Sequence, residues 1–426
     1  MKQKIRAIID RLRTGLVSML SANVVNRMVG MASTMIITRL LTPEEYGQWT
    51  YALNIYSYLL LVSGFGLISG AMQFGTENRG EGKAFAFFRY CIEKGLLIDG
   101  ILVVAAGVAI SFLELPIAGA KPYVMAILPI LLLEFILSIG QSVLRAQNRI
   151  KEYARVLNVN SLAIAVGTCG GAVFGLRGVV AGRYLANVIS LLYEGQLLRG
   201  ELRSTRNAER IDKKEKGQLW HYSLFTGASS AMNCLVYYLD VTLIAILIKS
   251  ASEISIYQVG TLIPNALQFI PVSVVTAILP TIIYHREDIS WIRSYLKKAY
   301  WALIAVNAVI TCIICVMAPV VIRILSGEQY LPAVPVLRVL AFGYFFSGTF
   351  RTLSINILAA FRRVRFGLFI SIVSCLTDIV FNYFFIIRFG MIGAAYATLL
   401  VDLITALLGF GYLVVLLRKG AINEVR

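Results

Sequence analysis

Eight ionisable side chains inside the long apolar runs of this 426-residue chain stand out as candidates: Arg27, Asp99, Glu134, Asp240, Arg338, Arg351, Asp378 and Asp402. An ionised group at membrane depth costs about 2.5–3.5 kcal/mol on insertion scales, so each needs a partner or a water-filled cavity. Arg27 shares a helical stripe with Asn23, Thr34 and Thr38, and Arg351 shares one with Ser347 and Ser354. A guanidinium on such a stripe can grip a diphosphate through two parallel hydrogen bonds, which an ammonium does less well. The competing reading is an Arg–Asp pair that locks helices together. Arg338 lies within two turns of a run's end, where it can instead snorkel towards the headgroups.

The acids fall on polar faces as well. Asp378 aligns with Ser371, Ser374 and Asn382, Asp240 with Asn233 and Tyr237, and Asp402 with Thr398 and Thr405. A carboxylate in a partly dry cavity can exchange a proton or hold a sodium ion, the usual basis of ion-coupled transport, so these three are ion-coupling candidates. Pairing with Arg27, Arg338 or Arg351 is equally open for each. Asp99 and Glu134 read as structural partners. No cofactor, catalytic residue or metal site is expected. Cys312 and Cys315 form a C-x-x-C, but inside the apolar TCIICVMAP, where they read as small apolar residues. His221 and His285 sit at run boundaries, and no P-loop offers direct use of ATP.

The elements that must carry these groups follow from composition. Apolar residues make up 58% of the chain and charged ones 15%, with a mean hydropathy of +0.75; soluble domains have about 45–50% and about 25%. Long apolar blocks must satisfy their own backbone hydrogen bonds in lipid, so they read as helices, and the alternating pattern of barrel strands is absent. Twelve spans are expected at roughly 16–40, 49–73, 90–113, 123–145, 156–175, 178–198, 221–248, 256–283, 299–323, 334–360, 367–388 and 392–417. Residues 1–15 read as a basic amphipathic lead-in with no cleavable signal. The net charge of +17 would suggest nucleic acid in a soluble protein. Here 30 of the 40 Lys and Arg residues fall in alternate connecting segments, beginning with residues 1–15, and only seven at the opposite ends of the spans. By the positive-inside rule both termini are cytoplasmic, and the charge contacts the anionic leaflet rather than a nucleic acid.

A polar stretch at 199–220 divides the chain into a six-helix lobe over 1–198 and another over 221–426. An even number of spans per lobe makes any repeat parallel. TPEEYGQWTYALNI (42–55) after the first span and ASEISIYQVGTLIP (251–264) after the seventh are faintly alike. Pro264, Pro271 and Pro280 favour kinks in span eight, with Pro264 and Pro271 as gating candidates, while Gly64, Gly66 and Gly70 weaken span two. Close helix packing is the alternative reading of those glycines. The outer connections are too short to hold a catalytic domain, which disfavours an enzyme such as a membrane glycan polymerase.

TRLLTPEEYG (38–47), together with Asp240 and the following ISIYQVGTLI (254–263), resembles the polysaccharide-exporter family of O-antigen and capsule flippases, within the multidrug/oligosaccharidyl-lipid/polysaccharide exporter superfamily. The twelve-span layout with its central basic linker extends the resemblance over the whole chain, although Ile256 stands where that family often has glycine. The resemblance implies an all-α polytopic membrane protein, with two six-helix lobes around a central cavity. It also implies a lipid-linked oligosaccharide substrate with an isoprenoid tail and a (di)phosphate, and residence in the bacterial cytoplasmic (inner) membrane. Membrane lipids and polysaccharide polymerase or assembly proteins are then the expected partners. Arg27, Arg351, Asn23 and Arg338 are the candidate substrate-binding residues, and a multidrug or small-metabolite exporter of the same superfamily is the principal rival.

The orientation has a direct test. On a background lacking the six native cysteines, single cysteines at 205–215 are expected to resist a membrane-impermeant thiol reagent in intact cells, while those at 249–255 and 324–333 react. External labelling at 205–215 would sink the assignment.

Overall fold

Twelve helical rods account for almost all of the described chain in the computed structural model, which describes residues 24–79, 82–201, 211–286, 288–361 and 363–419. They are α1 (24–40), α2 (Pro43–Glu77), α3 (Gly82–Phe112), α4 (Ala118–Ile127 with Ile130–Ala146), α5 (Ile150–Ala172) and α6 (Gly175–Leu197), then α7 (Lys213–Ile248), α8 (Ala251–Tyr284), α9 (Ile289–Ser326), α10 (Glu328–Ala360), α11 (Val364–Phe389) and α12 (Met391–Lys419). Each corresponds to one expected span, and no strand occurs among the described residues. Seven rods are long and apolar enough to cross a membrane by themselves, and α4 and α7 pass as bent pairs, α4 bending by 44°. Only 17 residues of α1 are described, while Asn158, Asn160, Arg183, Asn187, Glu194 and several glycines dilute the hydropathy of α5 and α6.

The chain forms two compact units, Met1–Tyr238 and Leu239–Arg426. The division falls inside α7, well past the 199–220 linker expected to separate the lobes. The reason is local. The first half of α7 packs on the first unit: Gly227 meets Gly66, Trp220 Nε1 donates to Tyr90 Oη at 3.1 Å, and Asn54 Nδ2 donates to the Tyr238 carbonyl at 3.0 Å.

In the first unit α5 and α6 form the tightest pair. Gly167 and Gly171 on α5 face Gly182 and Gly178 on α6, and a Cβ on Gly171 would lie 2.0 Å from the Gly178 carbonyl. These are two reciprocal G-x-x-x-G faces, which bring backbones close enough for dispersion to hold helices together where lipid tails supply no hydrophobic drive. Beside that seam Ser190 Oγ bonds Asn160 Oδ1 at 3.0 Å, and Arg183 Nη2 pairs with Glu134 of α4 at 2.6 Å. At the 147–149 turn, Arg149 bridges Glu152 and Glu201.

Among the interrupted rods, α2 and α8 break near their middles, one in each unit. In α2 the residues Ser63–Gly66 form a 3₁₀ turn in which Gly64, Phe65 and Gly66 take φ of 53°, 44° and 79°. Asp99 of α3, fully buried, takes up the groups this break exposes: Ser63 Oγ donates to it at 2.6 Å and the Gly64 amide at 2.7 Å. Gly66 and Gly70 also let Ser223 and Gly227 of α7 approach, so the break and the close packing coexist. In α8 the regular helix is interrupted at Gln268, between Pro264 and Pro271, and Gln268 Nε2 donates to Ser347 Oγ at 3.3 Å. The faint likeness between 42–55 and 251–264 has a physical content here. Thr42–Glu45 forms a capping box that starts α2, and Ser250 accepts from the Glu253 amide to start α8.

Pro319 interrupts α9 in another way, because it has no N–H to give to the Cys315 carbonyl four residues earlier. Arg338 Nε of α10 donates to that carbonyl at 3.0 Å. Replacing Arg338 by Ala should therefore cost about 1–3 kcal/mol, the usual penalty for stranding a polar group away from water. In a chain also carrying Pro319→Ala the loss should shrink, since the restored amide can take the carbonyl. A double-mutant cycle read by unfolding in detergent measures the coupling, and additive losses would contradict the assignment.

Candidate functional site

The densest buried polar cluster of the second unit gathers side chains from five helices. Asp240 stands on α7, Tyr257 on α8, Arg351 on α10, Asp378 and Asn382 on α11, and Thr398 and Asp402 on α12. On α11 and α12 the paired residues are four apart, which puts each pair on one helix face. Asp240 Oδ2 accepts from Tyr257 Oη at 2.5 Å and from Thr398 Oγ1 at 3.2 Å, while its Oδ1 accepts from Asn382 Nδ2 at 2.9 Å. The same amide nitrogen donates to Asp378 Oδ1 at 3.0 Å, so one asparagine ties two carboxylates together. One turn along α12 from Thr398, Asp402 Oδ1 accepts from Arg351 Nη1 at 3.1 Å.

This set holds three carboxyl groups against one guanidinium. Two acceptors at its centre, Asp378 Oδ2 and Asn382 Oδ1, are buried with no hydrogen-bond partner. Asp378 is 3% exposed and Asn382 fully buried. Buried acceptors of this kind are costly to leave unsatisfied, and a proton on a carboxyl or a small cation among the oxygens relieves both the charge and the missing bonds. All the donors are oxygen, which suits a hard cation rather than a transition metal. No group of three His, Cys, Asp or Glu side chains poised for a metal occurs among the described residues.

Arg351 owes its place to a π-helical turn, Ser347–Arg351, inside α10. Thr352 Oγ1 donates back to the Ser347 carbonyl at 3.0 Å across the widened turn. Such turns insert one residue into a helix and cluster at functional sites.

The expected site residues thus separate. Asp240, Asp378 and Asp402 meet in one cluster with Arg351. Arg338 is held by the Cys315 carbonyl, a role that neither the substrate-binding nor the snorkelling expectation anticipated. Arg27 is exposed on α1 rather than buried, Thr38 on the same helix is buried, and Asn23 lies outside the described residues. Tyr237, expected beside Asp240, is 76% exposed, and Asp240 finds Tyr257, Asn382 and Thr398 instead. Sequence reasoning passed over Tyr257, visible only as part of a motif, and Glu194. That carboxyl is buried on α6 with an unpartnered Oε1, in space left open by Gly140. Glu194 carried the same signal as the chosen candidates, an ionisable group inside an expected span, 178–198.

Comparison with known proteins decides the family. The sequence model of the polysaccharide biosynthesis protein family matches residues 12–284. The chain belongs to the polysaccharide biosynthesis protein family. As such it is a multi-pass membrane protein, and the resemblance to polysaccharide exporters holds. A lipid II flippase MurJ in an inward closed conformation superposes with a TM-score of 0.71 at 14% identity, covering 95% of this chain and 92% of that one. An inward-facing multidrug resistance MATE family transporter of the MOP superfamily gives 0.65 at 13% identity, covering 94% and 96%. The shared feature is the fold. An uncharacterized membrane protein of Methanocaldococcus jannaschii is 37% identical over 79 residues, 18% of this chain, and the match spans only 15% of that protein.

The cluster is expected to stabilise the protein when it is filled. A ligand at one hundred times its dissociation constant adds about 2.7 kcal/mol. Sodium titrated into the purified protein at pH 8 should raise the unfolding midpoint, and Asp240→Asn or Asp378→Asn should abolish the rise. A midpoint that follows pH and ignores sodium would identify a proton as the occupant. A midpoint indifferent to both would remove the cluster as a cation site.

Proposed function

We propose that this family member is a flippase that moves an undecaprenyl-(di)phosphate-linked oligosaccharide from the inner to the outer leaflet of the bacterial cytoplasmic membrane. It acts by alternating access driven by an ion gradient or the membrane potential, and serves cell-surface polysaccharide assembly. The supporting observation is the Asp240–Asn382–Asp378 bridge, with its two unpartnered acceptors, in a chain of the polysaccharide biosynthesis family. A protonatable or cation-holding group tied to several helices at once gives a secondary transporter its coupling. Filling the site changes the charge that α7, α8, α11 and α12 must accommodate, so the packing of those helices depends on occupancy.

The protein is a transporter in this reading and not an enzyme. Both termini and the 199–220 linker face the cytoplasm, with six helices in each lobe. Arg27, Asn23, Arg351 and Arg338 remain the candidate substrate contacts, and Pro264 and Pro271 the gating positions in the interrupted α8. Polymerase or other assembly proteins are the expected partners. A multidrug exporter would carry acids but has no need of an exposed arginine on α1, since cationic drugs repel it.

The decisive measurement is surface glycan against membrane protein level in variants. Arg27→Ala is expected to lower export at least tenfold at normal protein level, and Arg27→Lys to recover only part, because lysine keeps the charge and loses the planar fork. Asp378→Asn is expected to uncouple export from the ion gradient. Normal export by both Arg27→Ala and Asp378→Asn would overturn the proposal.

A further inference from the structure

The cytoplasmic-side halves of α8 and α9 are consecutive helices joined by a short turn, yet their backbones hardly approach each other. The second half of α8 packs mainly on the end of α10 instead. The splay leaves an open slot of about 350 Å³. Ile270, Val274 and Ile278 form one wall, at helical spacing, and Ala299, Ala302 and Val306 line the other. At 1.5 Å per residue the α8 wall is about 12 Å long. The floor and walls are apolar almost throughout, and the one charged lining group is Lys298. It has no acidic partner among the described residues.

The surroundings fix the depth of the slot's mouth. His285, Trp291 and Tyr295 stack in succession, with ring centroids 3.9 and 4.8 Å apart, and Tyr295 itself lines the slot. Lys297 and Arg293 lie on neighbouring turns. Trp and Tyr rings with Lys and Arg mark the level of the lipid headgroups. The slot therefore opens at a headgroup layer and runs from there along the hydrocarbon.

We propose that this slot holds the phosphate-proximal isoprene units of a polyprenyl phosphate, with the phosphate beside Lys298. The inference rests on the flippase reading and deepens it by giving the lipid carrier an entry site at the headgroup layer, occupied before its (di)phosphate reaches the candidate arginines. A chain entering the slot exchanges hydrocarbon for hydrocarbon, so selectivity has to come from shape and from the ammonium–phosphate contact rather than from apolar burial. One narrow slot with one cation suits a lipid carrying a single chain per phosphate. A diacyl phospholipid would leave its second chain outside.

The test uses the full chain in phosphatidylcholine nanodiscs, with native mass spectrometry counting bound lipid. The probes are undecaprenyl phosphate, undecaprenol and phosphatidylglycerol. The wild type is expected to bind one undecaprenyl phosphate at least tenfold more tightly than undecaprenol or phosphatidylglycerol. Ala302 is exposed, so Ala302→Trp should fill the slot without disturbing the core and weaken undecaprenyl phosphate binding at least tenfold. Lys298→Gln should remove the preference over undecaprenol while leaving the unfolding midpoint unchanged. Equal binding of phosphatidylglycerol would make the occupant a bilayer phospholipid and overturn the proposal. Undiminished undecaprenyl phosphate binding in both variants would also overturn it but leave the flippase reading standing. Failure of the wild type to bind undecaprenyl phosphate at all would remove both.

Discussion

No water is present in the hydrocarbon of a bilayer to take up a backbone hydrogen bond that a helix cannot make, so each departure from regular helix has to be matched by a polar group from elsewhere. Much of the polar inventory of this protein answers that requirement. Asp99 receives the Ser63 hydroxyl and the Gly64 amide where α2 turns through left-handed conformations. Arg338 takes the carbonyl that Pro319 orphans, and Gln268 reaches Ser347 where α8 is interrupted. A mid-membrane charge is therefore not by itself a sign of substrate contact. Unlike these three, the Asp240–Asn382–Asp378 bridge is left incomplete by its neighbours, as is Glu194 in the first unit.

The two units solve the problem of cohesion differently. In the first, α5 and α6 meet through facing glycines with almost no side chain between them, and their polar groups pair along the flanks. In the second, the cluster of acids, amide and hydroxyls knits α7, α8, α11 and α12, while aromatic and aliphatic side chains around Tyr300 and Phe410 fill the region beside it. A glycine seam is indifferent to ions and pH. A carboxylate cluster is not, and the part of the protein that depends on it has a stability that varies with what is bound.

Hydropathy and charge bias made the number and order of the helices legible, because length and apolarity are properties of single segments. Helical spacing likewise grouped Asp378 with Asn382 and Asp402 with Thr398. Which of these faces would meet was not legible, since that depends on packing between segments more than a hundred residues apart. The Asp240–Asn382 contact joins residues 142 positions apart and the Asp240–Thr398 contact residues 158 apart. The contact of Arg338 was illegible for a related reason: its partner is a backbone carbonyl, which no sequence pattern advertises unless one asks what Pro319 leaves unbonded. The reciprocal G-x-x-x-G faces of α5 and α6 are present in the sequence, but small residues carry no charge or periodicity to mark which helices they bring together.

The π-helical turn in α10 makes the helix a two-phase object. Each residue added to or removed from an α-helix rotates everything beyond it by about 100°. With Ser347–Arg351 widened by one residue, the segment Val334–Phe346 and the segment Thr352–Ala360 present faces that an unbroken helix would not align. The first packs on α12 and the start of α8, and the second on the far half of α8. Arg351 sits at the boundary of the two phases, so its meeting with Asp402 is a matter of angular register rather than of composition. An evolving relative could swing this guanidinium off α12 by losing a single residue at the turn, with every side chain of the cluster still encoded.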